Sequence, residues 1–419
     1  MRRVFLVLAL SVVLSGAAAA SGQAAEPVGA ADFNVRSSVD LRALTPANFA
    51  ERLVPAARVA APIVFYDFTE SFTPLFTQQV IPRFERVTGL HVQYRQVNGE
   101  QAVQQLIAAR RAGQAAPVDV FFIPNGQVRL AVESGIVANL PLNTMLPSAP
   151  DLEQNAATVA RGFRHGGVVV PFHRNQTAIG YDSRFVTSAQ APRDFAGLLA
   201  YAQANPGAVA ITNPARGGSG QGLLETAIVS MTPPDCQARL FDYTVDAAAA
   251  EAWADGPCLA PVLAYFRELR PLVEFTNGNT DTLTLMGNGV VHVGSVWEDQ
   301  TYDFLGRGLL PPTIRMRLLT EGQVGDGDGI MIPSGTRNLA GALLLVDFLL
   351  SNEVQLLKLE MNGSRSARTG LDIDRALRPE IVARLIPAEQ YTTLSGPRIT
   401  GTISSAATRR FVADILQPR

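Results

Sequence analysis

Between Ile63 and Val137 the chain keeps changing its period, and this constrains the fold more than anything else in it. IVFYDF (63–68) is a short β-branched and aromatic run. LFTQQVIPRFERVTG then carries apolar residues at helical spacing and exits at Gly89, with Pro82 expected to kink it. HVQYRQV alternates as a strand does, and NGEQAVQQLIAARRAG returns to helical spacing and ends at Gly113. PVDVFFIPN (117–125) is a third strand and QVRLAVESGIV a third helix. Strands alternating with helices of this length predict α/β units around a mostly parallel sheet. Such sheets bind ligands beyond the carboxyl ends of their strands. Here those ends are TESF (69–72), NGEQ (98–101), PNGQ (124–127), NPARGGSG (213–220) and WEDQ (297–300).

The rhythm breaks at GGVVVPFHRNQTAIGYD (166–182), which reads as two extended runs around a polar turn. It then restarts: a helix over 195–204, a strand at AVAIT, a glycine-rich loop and its helix, the helix APVLAYFRELR, and the extended stretch VVHVGSVWED (290–299). Residues 340–362 are helical with a break near Ser351, and helices continue to the C-terminus. Pro46–Leu53 reads as a short helix capped by Thr45. The pattern is two α/β lobes with two extended stretches that cross between them.

The N-terminus, MRRVFLVLALSVVLSGAAAASGQAAE, has an arginine pair, an apolar run over Val4–Leu14 and small residues over Ala17–Ala25. That is a secretory signal peptide over residues 1–25. Its removal takes the formal charge from −2 to about −4, which gives no reason to expect nucleic acid as a partner. Export gives the two cysteines a meaning. Cys236 and Cys258 are expected to form one disulfide, worth about 3 kcal/mol on a loop-entropy basis. No cofactor is expected, and no metal, since the four histidines lack ligand spacing.

Candidate site residues come from the strand ends. In TNPARGGSGQGLLETAI the glycines precede a helix, but no lysine follows them, and Gln221 breaks the nucleophile-elbow pattern. What remains is a turn, or a helix N-terminus offering Gly218, Ser219 and Gly220 to an anionic or hydroxyl group, with Arg216 adding charge. Glu70 would be an acidic wall and Phe72 a stacking face, unless Thr69 or Ser71 simply caps a helix. Asn98 and Asn125 occupy matching positions after later strands. Asn279 and Asp281 either cap a helix or reach the ligand. Trp297 with Glu298 and Asp299 suits a cationic ligand by cation–π contact and ion pairing; the alternative is a core indole and solvated acids. GDGDG (325–329) lacks the further ligands of a calcium loop and reads as a bend beside the cleft.

The signal peptide, IVFYDFTESF, VDVFFIPN, PFHRNQTAIGYD and GIMIPSGTRNLAGALLLVDFLLS together resemble an ABC-importer extracellular solute-binding protein. The group it resembles binds polyamines, thiamine, iron or oxyanions. HRNQTAIGYD, TNPARGGSG and NGNTD are most similar to its YnjB-type branch. The resemblance implies a two-lobed periplasmic-binding-protein fold of type II, with the ligand cleft between α/β lobes. It divides the chain into an extension (26–60), a first lobe (61–172 and 298–345), a second lobe (173–297) and a helical C-terminal region packed on both (346–419). It makes HRNQ the first hinge crossing, with Asn175 and Gln176 facing the cleft, and SVWEDQ the second. It implies a monomeric periplasmic protein that closes on a small polar, charged or zwitterionic solute and delivers it to a membrane permease. The tyrosine-plus-carboxylate set used for ferric iron is not evident. Two alternatives share the cleft. An exported hydrolase would need a triad, for which only Ser219, His173 and Asp299 offer themselves. A chemosensory binding protein would use the same trap.

Overall fold

The computed structural model describes residues 33–417; the signal-peptide reading lies outside them. The chain lays down β1 (Ile63–Asp67), β2 (Val92–Gln96), β3 (Val120–Pro124), β4 (Val159–Ala160), β5 (Phe163–Arg164) and β6 (Val169–Asp182). It continues through β7 (Val209–Thr212), β8 (Glu274–Thr276), β9 (Val293–Trp297), β10 (Ile314–Arg317), β11 (Gln323–Met331) and β12 (Ser395–Gly396). One sheet runs in the order β2-β1-β3-β11-β6-β9-β7-β8, with β10 on β6 and β12 on β11. The β2-β1-β3 and β9-β7-β8 groups are parallel, as the alternation predicts. The strands between them are antiparallel, so the sheet is mixed.

That arrangement gives two α/β halves joined by two long strands. β6 pairs with β11 over Val169–Gln176 and with β9 over Thr177–Tyr181, so it passes from one half into the other. The expected polar turn inside it is absent: residues 169–182 are one unbroken strand. The polar residues stay extended because neighbours satisfy them. His173 meets Ser364, and Gln176 Nε2 donates to the carbonyls of Thr177 and Gln323. The second crossing is β11 rather than Trp297–Glu298. β9 remains in the second half, a helix begins directly at Glu298, and β10 still pairs with the far end of β6. GDGDG is therefore strand, not a bend. Gly327 shows why glycine alternates there: a Cβ would sit 2.3 Å from the His173 carbonyl on the facing strand.

Each half has its own core. Phe65, Phe76, Phe84, Phe122 and Phe172 anchor the first, together with the buried helix Leu339–Leu349. Part of the N-terminal extension packs into this core. The helix Phe49–Arg58 buries Phe49, Leu53 and Ala57 against it. That helix starts after Asn48 rather than at Pro46, because Asn48 and Thr45 bond each other's backbone N–H and hold the turn before it. At Pro82, where a kink is expected, the helical run changes its winding without ending. A π-helical turn, Leu75–Val80, leads into the helix Ile81–Thr88 and places the proline in its first turn, where its missing N–H costs little. The second core gathers Leu223, Ile228, Phe266 and the C-terminal helix Gly401–Phe411. The Cys236–Cys258 disulfide forms beside it. No single helix among the described residues is long and apolar enough to cross a membrane. The bent pair Leu339–Leu349 and Asn352–Asn362 turns by 60° at the expected break.

Candidate functional site

The glycine-rich stretch resolves into packing. The helix Gly218–Met231 starts where β7 ends and lies hard against it. A Cβ at Gly220 would stand 1.7 Å from the Thr212 carbonyl oxygen, and one at Gly218 would stand 2.8 Å from the Trp297 ring. Ser219 is fully buried. Its hydroxyl bonds Thr212 Oγ1 and Asn279 Oδ1, and its N–H donates to the same Asn279 oxygen. Asn279 thus ties two helix N-termini together. In this conformation both the hydroxyl and the N–H of Ser219 are engaged within the protein, and Asp281 is exposed in the first turn of the helix Asn279–Gly287.

Several other strand-end residues are also held by the protein. Phe72 is buried among Phe76, Phe122, Phe172 and His173 and offers no open stacking face. Asn98 caps the helix Gly99–Arg111 through the Gln101 N–H. Gln176 is buried with its amide satisfied by carbonyls. Glu298 is the clearest correction. It is fully buried, its carboxylate meets Arg365 at 2.7 Å, and it also accepts the Ile386 N–H. Glu70 and Ser71 are exposed beyond β1, on a turn set by the buried Asp67, which accepts the Thr69 N–H and hydroxyl.

What the fold does bring together is a carboxylate group at the hinge. β11 alternates Gly-Asp-Gly-Asp, and period two puts Asp326 and Asp328 on one face. They pair in register with Asn175 and His173 of β6. Asp299, in the first turn after β9, reaches the same place. Its Oδ2 lies 3.7 Å from His173 Nε2, and the Asn175 side chain bonds it. Asp328 accepts the Asn125 N–H at 2.9 Å, which fixes the start of the helix Asn125–Glu133. Burial, and then the neighbouring Glu298, push the Asp299 carboxyl up to about 6. Burial, and then Asp326, push Asp328 up to about 7. Burial also acts on Asp326, but Arg161 and Arg398 outweigh it and hold that carboxyl below its ordinary value. Asn175 Oδ1 is buried with no donor among the described residues. Trp297 is nearly buried, with its ring against Gly218.

Behind the hinge runs a second polar chain. Lys358, the only lysine in the sequence, donates to the Phe172 and Arg365 carbonyls and to Ser364 Oγ, which in turn contacts His173 Nδ1 at 2.7 Å. Ser364 rather than Ser219 is therefore the serine next to His173 and Asp299. It is fully buried, and burial together with Lys358 lowers the His173 pKa to about 3. A hydroxyl sealed from solvent beside an imidazole this hard to protonate is a poor nucleophile–base pair.

The comparisons agree with this architecture. Residues 79–376 match the family model for bacterial extracellular solute-binding proteins. The chain belongs to that family. Among solved structures it is similar to an extracellular solute-binding protein from Bordetella parapertussis, at 14% identity and a TM-score of 0.62, over 83% of this chain and 97% of that one. It is similar to the spermidine/putrescine ABC transporter substrate-binding protein PotD from Streptococcus pneumoniae, at 14% identity and 0.60, over 84% and 98%. The apo ferric ion-binding protein A from Pasteurella haemolytica gives 14% and 0.55, over 84% and 97%. At these identities the likeness is one of fold. No curated protein sequence is significantly similar. As a member of this family the chain is a two-lobed solute-capture protein.

Asp326, Asp328, Arg161 and Arg398 are functional candidates that sequence reasoning missed. The Gly-Asp alternation was the available signal for the two aspartates. Nothing local marks the arginines, which only the fold brings to the hinge.

Proposed function

We propose that this chain is an exported periplasmic binding protein that captures one small charged solute between its halves and delivers it, as a monomer, to an ABC importer permease. The N-terminal leader supports export, and the family supports capture. The observation that carries the ligand reading is the hinge group. Among the described residues neither Asp299 nor Asp328 forms an ion pair with an arginine or the lysine, and Asn175 Oδ1 beside them lacks a donor. An ammonium group satisfies all three, since buried acceptors left unpaired are costly and a cation favours both ionised carboxylates. The pneumococcal neighbour, whose name specifies spermidine and putrescine, supports a cationic group on the solute. Contacts made only when the halves approach would draw them together.

Asp299→Asn tests this by calorimetric titration. The variant keeps the size of the side chain and removes its charge. Affinity for the captured solute is expected to fall at least tenfold, about 1.4 kcal/mol. An unchanged affinity in a folded variant would remove the hinge carboxylates from the site.

A further inference from the structure

A second set of charges adjoins the hinge and is of opposite sign. Arg161, Arg164, Arg174 and Arg398 line a cavity of about 230 Å³ between the halves, with Asn125 and Asp326 on its wall. They come from distant parts of the chain. Arg161 sits in the turn of the β4–β5 hairpin at φ +46°, a left-handed conformation unusual for a residue with a Cβ. Arg398 follows β12, and Arg174 lies on β6. Asp326 takes Arg161 at 2.7 Å and Arg398 at 3.4 Å. Glu225 takes Arg398 at 2.6 Å, and Glu153 takes Arg174 at 3.3 Å. Four guanidinium groups thus share three carboxylates. Arg164 is left without an ion-pair partner among the described residues.

The cavity and the hinge carboxylates are contiguous. Asn125 lines the cavity and donates its N–H to Asp328. Asp328 in turn lies within electrostatic reach of both Arg161 and Asp299. The acidic group therefore adjoins the arginine-lined space on one side, through Asn125 and Asp328. The volume matches roughly seven or eight waters at ~30 Å³ each, room for an acid group on a short carbon chain. Guanidinium groups recognise carboxylates through paired N–H donors, and those of Arg164 have no partner among the described residues.

We propose that the solute is a zwitterion, a small amino acid or similar amino carboxylate, with its ammonium group on Asp299, Asp328 and Asn175 and its acid group in the arginine-lined cavity. This rests on the capture reading above and adds the second pole. Arg164 receives the carboxylate, and Arg161 is shared between it and Asp326. A diamine would bring a second positive charge into the arginines, so the cavity discriminates against it by repulsion.

The test is titration of the mature protein, refolded from denaturant to remove carried-over solute. The probes are three sets: amino carboxylates (4-aminobutanoate, 5-aminopentanoate and the common α-amino acids), diamines (putrescine and cadaverine) and dicarboxylates (succinate and glutarate). Some amino carboxylate is expected to bind at least tenfold tighter than every diamine. Arg164→Gln, at an exposed hairpin position, should weaken it about tenfold while leaving any diamine affinity unchanged or stronger. Arg161→Gln serves as the second variant, since Arg398 still holds Asp326 there. Diamine binding that equals or exceeds that of the amino carboxylates, or indifference to both arginine variants, overturns the zwitterion. If Asp299→Asn still weakens the diamine in that case, the capture reading survives. A preference for dicarboxylates overturns the zwitterion and the hinge reading together, as does silence from all three sets.

Discussion

Removing the Glu298 carboxylate should damage the fold, not the recognition of solute. Glu298 sits at the end of β9, where an acidic ligand contact would be expected from sequence, yet it is fully buried and meets Arg365 through both oxygens at 2.7–3.2 Å. It also accepts the Ile386 N–H at 2.7 Å. Glu298→Ala leaves the buried Arg365 guanidinium with the Ile386 carbonyl and the Tyr391 ring, and strands the Ile386 N–H. Stripping one partner from a buried pair costs about 3–5 kcal/mol. That is a large share of the roughly 5–15 kcal/mol that holds a domain together. Urea unfolding followed by far-UV circular dichroism, alongside solute titration of the folded fraction, measures both quantities. The expected result is a much lower midpoint with affinity within about twofold. The double replacement Glu298→Leu/Arg365→Met, which removes both charges, should recover much of the loss. Wild-type stability with lost affinity would refute the structural role and return Glu298 to the site.

Two further predictions concern the hinge and the glycine-rich helix. Because Asp299 and Asp328 are raised in the fold to about 6 and about 7, from an ordinary carboxyl value of 3.8, the folded protein holds more protons than the unfolded chain between those limits. Their contribution to solute-free stability is fully present below pH 4 and is lost as pH rises through 7. Affinity for an ammonium-bearing solute moves the other way, rising from pH 5 to 8 with proton release. Titration calorimetry in buffers of different ionisation enthalpy would detect this, and a pH-independent binding enthalpy and affinity would contradict it. Separately, Gly220→Ala forces a methyl group to within 1.7 Å of the Thr212 carbonyl, so the helix must leave β7. A loss of at least about 3 kcal/mol is expected, at the upper end for overpacking because the obstacle is backbone. Thermal melting checks it, and an unchanged midpoint would mean that the helix does not pack as described.

Much of the fold was legible because local period and global topology agree. The parallel groups in both halves, the helices Gly99–Arg111 and Phe195–Ala204, and the break near Ser351 follow directly from apolar spacing and glycine exits. The hinge was less legible for one physical reason. Its strands are polar where they pass between the halves, and their partners lie far away in sequence, so HRNQ looked like a turn and GDGDG like a bend. Tertiary hydrogen bonds, such as Gln176 to the Gln323 carbonyl, keep both extended. The site shows the same limit. Asp299 lies at a strand end that the sequence singles out and Asn175 at the crossing that the resemblance implies, whereas Glu298, next to Asp299, turns inward because Arg365 arrives from the C-terminal region. The Trp297 ring is nearly buried against Gly218, next in sequence to the inward-turned Glu298.

The most direct test of the central claim is a thermal-shift panel on refolded mature protein and on Asp299→Asn, covering amino acids, diamines, organic acids and neutral sugars. A captured solute should stabilise by about 2.7 kcal/mol at a hundredfold excess over its dissociation constant. The account predicts that one charged, amine-bearing class produces this shift in the native sequence, and that the shift shrinks sharply in Asp299→Asn. Stabilisation by neutral sugars alone, equal in both proteins, would contradict it.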